Sequence, residues 1–154
     1  MANRNARNYL QTEHPHIFSQ MYSKVNAIEI VSLSTAGQLY PSSGPWSEII
    51  KENFNTSANG VITFTGPSAI FFYGPSAVFQ IDKAAEITFY TYINGLEVSR
   101  TTKLVQATQL GSDISVNRMA LLPLQTLDTL QIFASSTTNN TTMTIKHNRI
   151  LLNG

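Results

Sequence analysis

A chain of 154 residues suffices for one domain with one hydrophobic core, because about 150 residues bury roughly 68–70% of the surface the unfolded chain exposes. Only 12% of the residues are charged, against about 25% in an average soluble domain, so Ser, Thr and Asn solvate the surface, which suits strands, turns and subunit contacts. A net charge of +1 without clustered Lys and Arg excludes nucleic acid as a partner, and the lack of cysteine excludes disulfides, thiolate metal sites and a cysteine nucleophile.

Residues 1–24 read as a polar N-terminal arm. It mixes Asn, Arg, Gln and His with scattered apolar anchors at Tyr9, Leu10, Ile17, Phe18, Met21 and Tyr22, and its only basic bias is Arg4 and Arg7. The spacing of Ile17, Phe18, Met21 and Tyr22 allows an extended or partly helical segment, too short to fold alone. The first ten residues lack the apolar stretch of a secretory signal, and no run approaches a membrane span, so the expectation is synthesis in a host cytoplasm and no membrane partner.

The body, residues 25–154, has the alternation of strands. Ala27–Val31 opens it, and Val61–Thr65 follows the turn signal Asn59-Gly60. Trp46, Ile49 and Ile50 stand at helix spacing, which predicts a partly helical stretch over Trp46–Asn53. Ile70–Tyr73 and Ala77–Ile81 read as two strands separated by a turn at Gly74-Pro75-Ser76. The clearest unit is Glu86–Arg100, where Asn94-Gly95 predicts a type I′ hairpin turn that pairs Ile93 with Leu96 and Thr91 with Val98. That register puts Ile87, Phe89, Ile93, Leu96 and Val98 on one face and Tyr90 and Tyr92 on the other. Ile114–Leu122, Leu130–Ala134 and Met143–Leu152 supply the last strands, with Ser135–Thr142 as a polar connection. In the final strand Met143 and Ile145 differ in parity from Ile150 and Leu152, which calls for a bulge near Asn148 or burial of both faces. Many short strands and little helix make an all-β sandwich or barrel.

Catalytic apparatus is not legible. His14-Pro15-His16 offers two imidazoles with no third ligand nearby, and His147 falls inside a strand pattern. Asp82, Glu86, Asp113 and Asp128 are separate and sit at turns or strand ends, where carboxylates ordinarily accept backbone N–H groups. No Gly-x-Ser-x-Gly elbow or phosphate loop is present, and the Asn-x-Ser/Thr triplets at Asn55, Asn139 and Asn140 fall in an Asn- and Thr-rich composition. The expectation is a protein without catalytic residues, metal or cofactor.

An ordered set of signals runs from Trp46 to Leu152. Trp46, Ile49 and Asn53 precede Gly60–Phe64; a Gly/Pro turn leads to Phe79-Gln80-Ile81; Ile93-Asn94-Gly95 closes the central hairpin; and Leu124–Ile132, reading Leu-Gln-Thr-Leu-Asp-Thr-Leu-Gln-Ile, resembles a Leu-x-x-Gly-Asp-x-(apolar)-x-(apolar) pattern before the last strand. On these residues the chain resembles the trimeric jelly rolls of the C1q and tumour-necrosis-factor superfamily, including versions found in bacteriophage virion proteins. Leu127 stands where that family commonly has Gly, and Gly74–Ala77 replaces its Pro-x-Gly-x-Tyr arrangement.

The resemblance implies an antiparallel jelly-roll sandwich that trimerises by packing side chains of one sheet around a threefold axis. Tyr90 and Tyr92 fit that interface, since tyrosine rings bury well while their hydroxyls find partners. The expected function is a virion structural protein: a homotrimeric capsid decoration or head-fibre protein. Arg4, Arg7, Tyr9, Leu10, Ile17 and Phe18 of its arm would bind the major capsid protein or another virion protein. The alternative is a trimeric receptor- or glycan-binding module of a phage tail or other surface structure, using Trp46 or Tyr40 beside Pro41. An enzyme on the same scaffold would need paired carboxylates, or His147 beside an acid.

Overall fold

Alternation of buried and exposed side chains governs the strands of this computed structural model, which describes residues 18–23, 28–42, 46–50 and 52–154. In chain order they are β1 (Phe18–Ser23), β2 (Glu29–Leu33), β3 (Tyr40–Pro41), β4 (Trp46–Ile50), β5 (Phe54–Thr56), β6 (Ile62–Phe64), β7 (Ala69–Ile81), β8 (Ala85–Ile93), β9 (Leu96–Glu97), β10 (Lys103–Ala107), β11 (Ile114–Asn117), β12 (Ala120–Leu124), β13 (Thr129–Ser136) and β14 (Thr141–Asn153). A single 3-10 turn, Ser99–Thr101, is the only helical element among the described residues. Two antiparallel sheets result. Sheet A runs β11-β7-β14-β1-β4, with β12 also on β7 and β2 also on β14; sheet B runs β10-β8-β13-β6-β5, with β9 on β8 and β3 on β13. This is the expected all-β jelly-roll sandwich.

The inner faces form two apolar clusters. The first joins Phe71, Tyr73, Leu122, Leu124, Ile150 and Leu152 of sheet A to Phe54, Ile62, Phe64, Leu130 and Ile132 of sheet B. Phe54, Phe64 and Phe71 lie 4.9–5.5 Å apart between ring centroids, in tilted and edge-on contacts. Such pairs add about 0.5–1.5 kcal/mol each beyond the area they bury. The second cluster is mainly aliphatic, around Leu33, Ile81, Ile87, Met143 and Ile145, with Phe79 edge-on to Phe89 at 5.3 Å.

Between the clusters lies a belt in which strands hand over to one another. On β7 the partner changes from β12 to β11, on β14 from β1 to β2, on β13 from β6 to β3, and on β8 from β9 to β10. Backbone groups lose ladder partners at such breaks, and side chains must replace them. The belt accordingly holds the buried polar residues Ser42, Thr91, Thr101, Arg118 and Asn148.

Asn94 and Gly95 have φ of 51° and 77°, both positive as a type I′ turn requires, and Ile93 pairs with Leu96. Leu96 is nonetheless 75% exposed, because the hairpin tip overhangs the core that it was expected to join. In β14 a register shift between Ile145 and His147 resolves the parity change, so that Met143, Ile145, Ile150 and Leu152 are all buried. The turn expected at Gly74-Pro75-Ser76 is absent, and β7 runs unbroken through it. The Pro75 carbonyl accepts the Arg118 N–H, so the proline's missing N–H points toward the side where β12 gives way to β11 and no ladder donor is needed. Trp46–Ile50 is a strand rather than a helical stretch, paired with β1 at the edge of sheet A. Leu127, in the family's glycine position, has φ of 73° and keeps the glycine-like backbone: Asp128 N–H closes the turn onto the Gln125 carbonyl.

Candidate functional site

Strands β8 and β13 lie side by side at the centre of sheet B, with Tyr90 opposite Phe133, Tyr92 opposite Gln131 and Thr88 opposite Ser135. On β8, Ala85, Ile87, Phe89 and Thr91 are buried inward, which turns Glu86, Thr88, Tyr90 and Tyr92 to the outer face. On β13, Leu130, Ile132 and Ala134 point in and Gln131, Phe133 and Ser135 point out. The outer face of sheet B therefore carries three aromatic rings at its middle. Tyr92 stacks edge-on against Phe133 at 5.0 Å, and the Tyr90 hydroxyl lies 3.3 Å from Ser135 Oγ. Leu104 of β10, opposite Thr88, extends the patch and is 49% exposed.

Sequence reading found Tyr90 and Tyr92 from the parity of the hairpin but missed Phe133 and Leu104. Phe133 has the outward parity of its strand, so an apolar residue among polar neighbours was the available signal. Leu104 lies on β10, whose Lys-Leu-Val-Gln-Ala sequence has no clear alternation.

Of the expected attachment residues only Phe18 is among those described, and it falls at the other sheet. Arg4, Arg7, Tyr9, Leu10 and Ile17 lie outside the described residues, whereas Phe18 begins β1 and pairs in register with Asn153 of β14. Phe18–Ser23 is thus hydrogen-bonded into sheet A between β14 and β4.

Polar groups elsewhere are engaged in holding loops. Asp82 Oδ1 accepts the Thr142 N–H at 2.7 Å, which lowers its pKa, and Asp113 is lowered by Lys146 at 2.8 Å and by Gln80. Asp128 accepts the Gln125 N–H and the Asn94 amide, both at 2.7 Å. Tyr40, a contact residue in the glycan reading, has its hydroxyl 2.6 Å from Ser34 Oγ and accepts the Thr35 N–H, interactions that lower its pKa. His147 is exposed on β14. Among the described residues no three His, Cys, Asp or Glu side chains are grouped to hold a metal ion, and no helix is long and apolar enough to cross a membrane.

No family model and no curated protein matches the sequence. Solved structures do match the fold. A tumour-necrosis-factor protein, Eiger, of S. frugiperda superposes with a TM-score of 0.58 at 12% identity, covering 86% of this chain and 93% of its own. Murine APRIL gives 0.58 at 10% identity over 86% and 99%. Vertex protein P5 of phage PRD1 gives 0.57 at 11% identity over 90% and 99%. The chain therefore shares the jelly-roll fold of these tumour-necrosis-factor and phage vertex proteins.

Proposed function

We propose that the protein is a homotrimeric structural protein of a phage particle, assembled through the outer face of sheet B and decorating the capsid surface. The observation that carries this reading is the packed Tyr90, Tyr92 and Phe133 patch at the centre of one sheet. Tyr92 is seated edge-on to Phe133 and the Tyr90 hydroxyl on Ser135 within one subunit, so association loses little side-chain entropy while burying aromatic area. Sharing the jelly roll with a vertex protein of PRD1 supports a place on the virion, and neither a catalytic group nor a cofactor enters the reading.

Residues 1–17 supply the attachment to a major capsid or other virion protein, with Arg4, Arg7, Tyr9, Leu10 and Ile17 as contacts. The test is a chain shortened to begin at Phe18, which keeps β1 in sheet A. It should remain a trimer by analytical ultracentrifugation and lose occupancy on the native particle in electron micrographs. Full occupancy would assign attachment to the body, and a monomeric full-length protein at micromolar concentration would overturn the trimer. Binding to a glycan array without binding to the capsid would favour the receptor-binding alternative.

A further inference from the structure

The belt between the two apolar clusters contains a buried cation with no acidic partner among the described residues. Arg118 follows β11, is 8% exposed, and reaches from sheet A across the sandwich toward sheet B. Its Nη1 donates to Thr91 Oγ1 at 3.2 Å and to the Thr101 carbonyl at 3.3 Å, and its guanidinium lies 5.8 Å from the Phe89 ring centroid. Thr91 Oγ1 also lies 2.9 Å from the Tyr73 hydroxyl. A guanidinium carries five N–H donors and stays protonated inside proteins. Its Nε and Nη2 groups have no acceptor among the described residues, and no carboxylate there is within ion-pair distance. Burial lowers the pKa of Arg118, with Tyr73 acting in the opposite sense.

Beside it the sheets fail to close. A cavity of about 10 Å3, traced by the centre of a water-sized sphere, is lined by Arg118, Phe89, Val116, Ile132, Asn148 and Ser42 among others. That is room for about one water molecule. Asn148 Nδ2 donates to Ser42 Oγ at 3.1 Å, and Ser42 in turn donates to Glu29 at 3.2 Å, outside the lining. The one charged side chain in the wall is therefore the cation.

We propose that this cavity is a binding site for a monatomic anion of chloride size, held against the Nε and Nη2 donors of Arg118 between the two sheets. Room for about one water-sized body favours a single-atom anion over a carboxylate or phosphate. A neutral water would satisfy donors but leave the charge uncompensated. The anion would tie the two sheets together at the belt, where ladder hydrogen bonds are interrupted.

The test measures melting of the full chain in chloride and in gluconate at matched ionic strength. A ligand bound only by the folded state raises the midpoint with its concentration, so chloride should raise it by about 2–8 °C and gluconate should not. Arg118→Met should abolish the difference. Bromide soaked into crystals should give an anomalous peak within contact distance of Arg118, and this decides the matter if the variant does not fold. A bromide-free cavity overturns the proposal in favour of water. A difference between salts that survives Arg118→Met overturns it as a general salt effect. A peak with no effect of chloride on melting leaves an adventitious ion only, and also overturns it.

Discussion

The outer faces of the two sheets both expose apolar side chains, in different ways. Sheet A presents Ile30 (70% exposed), Ile70 (66%) and Leu121 (61%) as aliphatics, with Phe72 beside Leu121. Sheet B presents half-buried rings, Tyr92 edge-on to Phe133 and Tyr90 with its hydroxyl beside Ser135 Oγ. The amount of exposed hydrocarbon would select sheet A. Order selects sheet B: rings held by their neighbours are prepaid for association, whereas exposed aliphatics on a β-surface are common in monomers. Sheet A also receives β1, the strand that leads from residues 1–17, so the two faces divide assembly from attachment in the proposed function.

The largest expected effect tests that division directly. Tyr90→Asp with Tyr92→Asp should weaken trimerisation by several kcal/mol, because unpaired carboxylates at a desolvated contact are costly. Ile70→Asp with Leu121→Asp should leave the trimer intact. Sedimentation of both variants reads the outcome, and the opposite pattern would move the interface to sheet A.

Next is the turn that holds β8 in place. Gly95 has φ of 77° with no heavy atom within 4 Å of an added Cβ, so Gly95→Val meets backbone strain rather than collision. The expected cost is about 1–3 kcal/mol in denaturant unfolding. A loss below about 0.5 kcal/mol, typical of neutral surface changes, would show that the tip yields without disturbing the tyrosine face.

A smaller gain should follow at the neighbouring turn. Leu127 is 69% exposed at φ 73°, so Leu127→Gly gives up little buried area and relieves left-handed strain. Glycine's greater freedom in the unfolded chain offsets part of the benefit, leaving about 0.5–1 kcal/mol of stabilisation. The turn is tied to the hairpin, since Asn94 Oδ1 accepts the Thr129 N–H at 2.9 Å and Asn94 Nδ2 reaches Asp128. Leu127→Gly combined with Gly95→Val should therefore show coupling rather than additivity.

These turns also show what a sequence can display. Asn94-Gly95 is legible because few dipeptides accept two positive φ values, and the bulge in β14 because hydrophobic parity changes along one strand. Gly74-Pro75 misleads: the same residues that make turns also tolerate a break in one ladder while the other, to β14, continues. Trp46, Ile49 and Ile50 have helical spacing, yet β1 provides an edge to pair with, and tertiary pairing overrides local pattern. The Arg118 cluster is invisible for another reason. Its partners Thr91 and Thr101 lie 27 and 17 residues away, and only the handover of strands brings them together.

The smallest effect separates the sheets by pH. Asp82, at the end of β7, accepts the Thr142 N–H at the start of β14, so its charge supports sheet A and not the tyrosine face. Its folded pKa lies below the ordinary carboxylate value, chiefly because of that hydrogen bond. A depressed pKa means the folded state binds the proton less readily than the unfolded state. The stabilisation is complete above the unfolded pKa, near 4, and disappears as pH falls through the lower folded value. Asp113 shifts in the same direction through Lys146, so the contribution of Asp82 is obtained by difference. Asp82→Asn should lower stability near neutral pH by under about 1 kcal/mol, as solvent screening dictates for an exposed group, and should flatten the loss below pH 4. Its trimer dissociation constant at pH 7 should match that of the unmodified chain. A weaker trimer would mean that sheet A, through Asp82 and β14, also supports the assembly face.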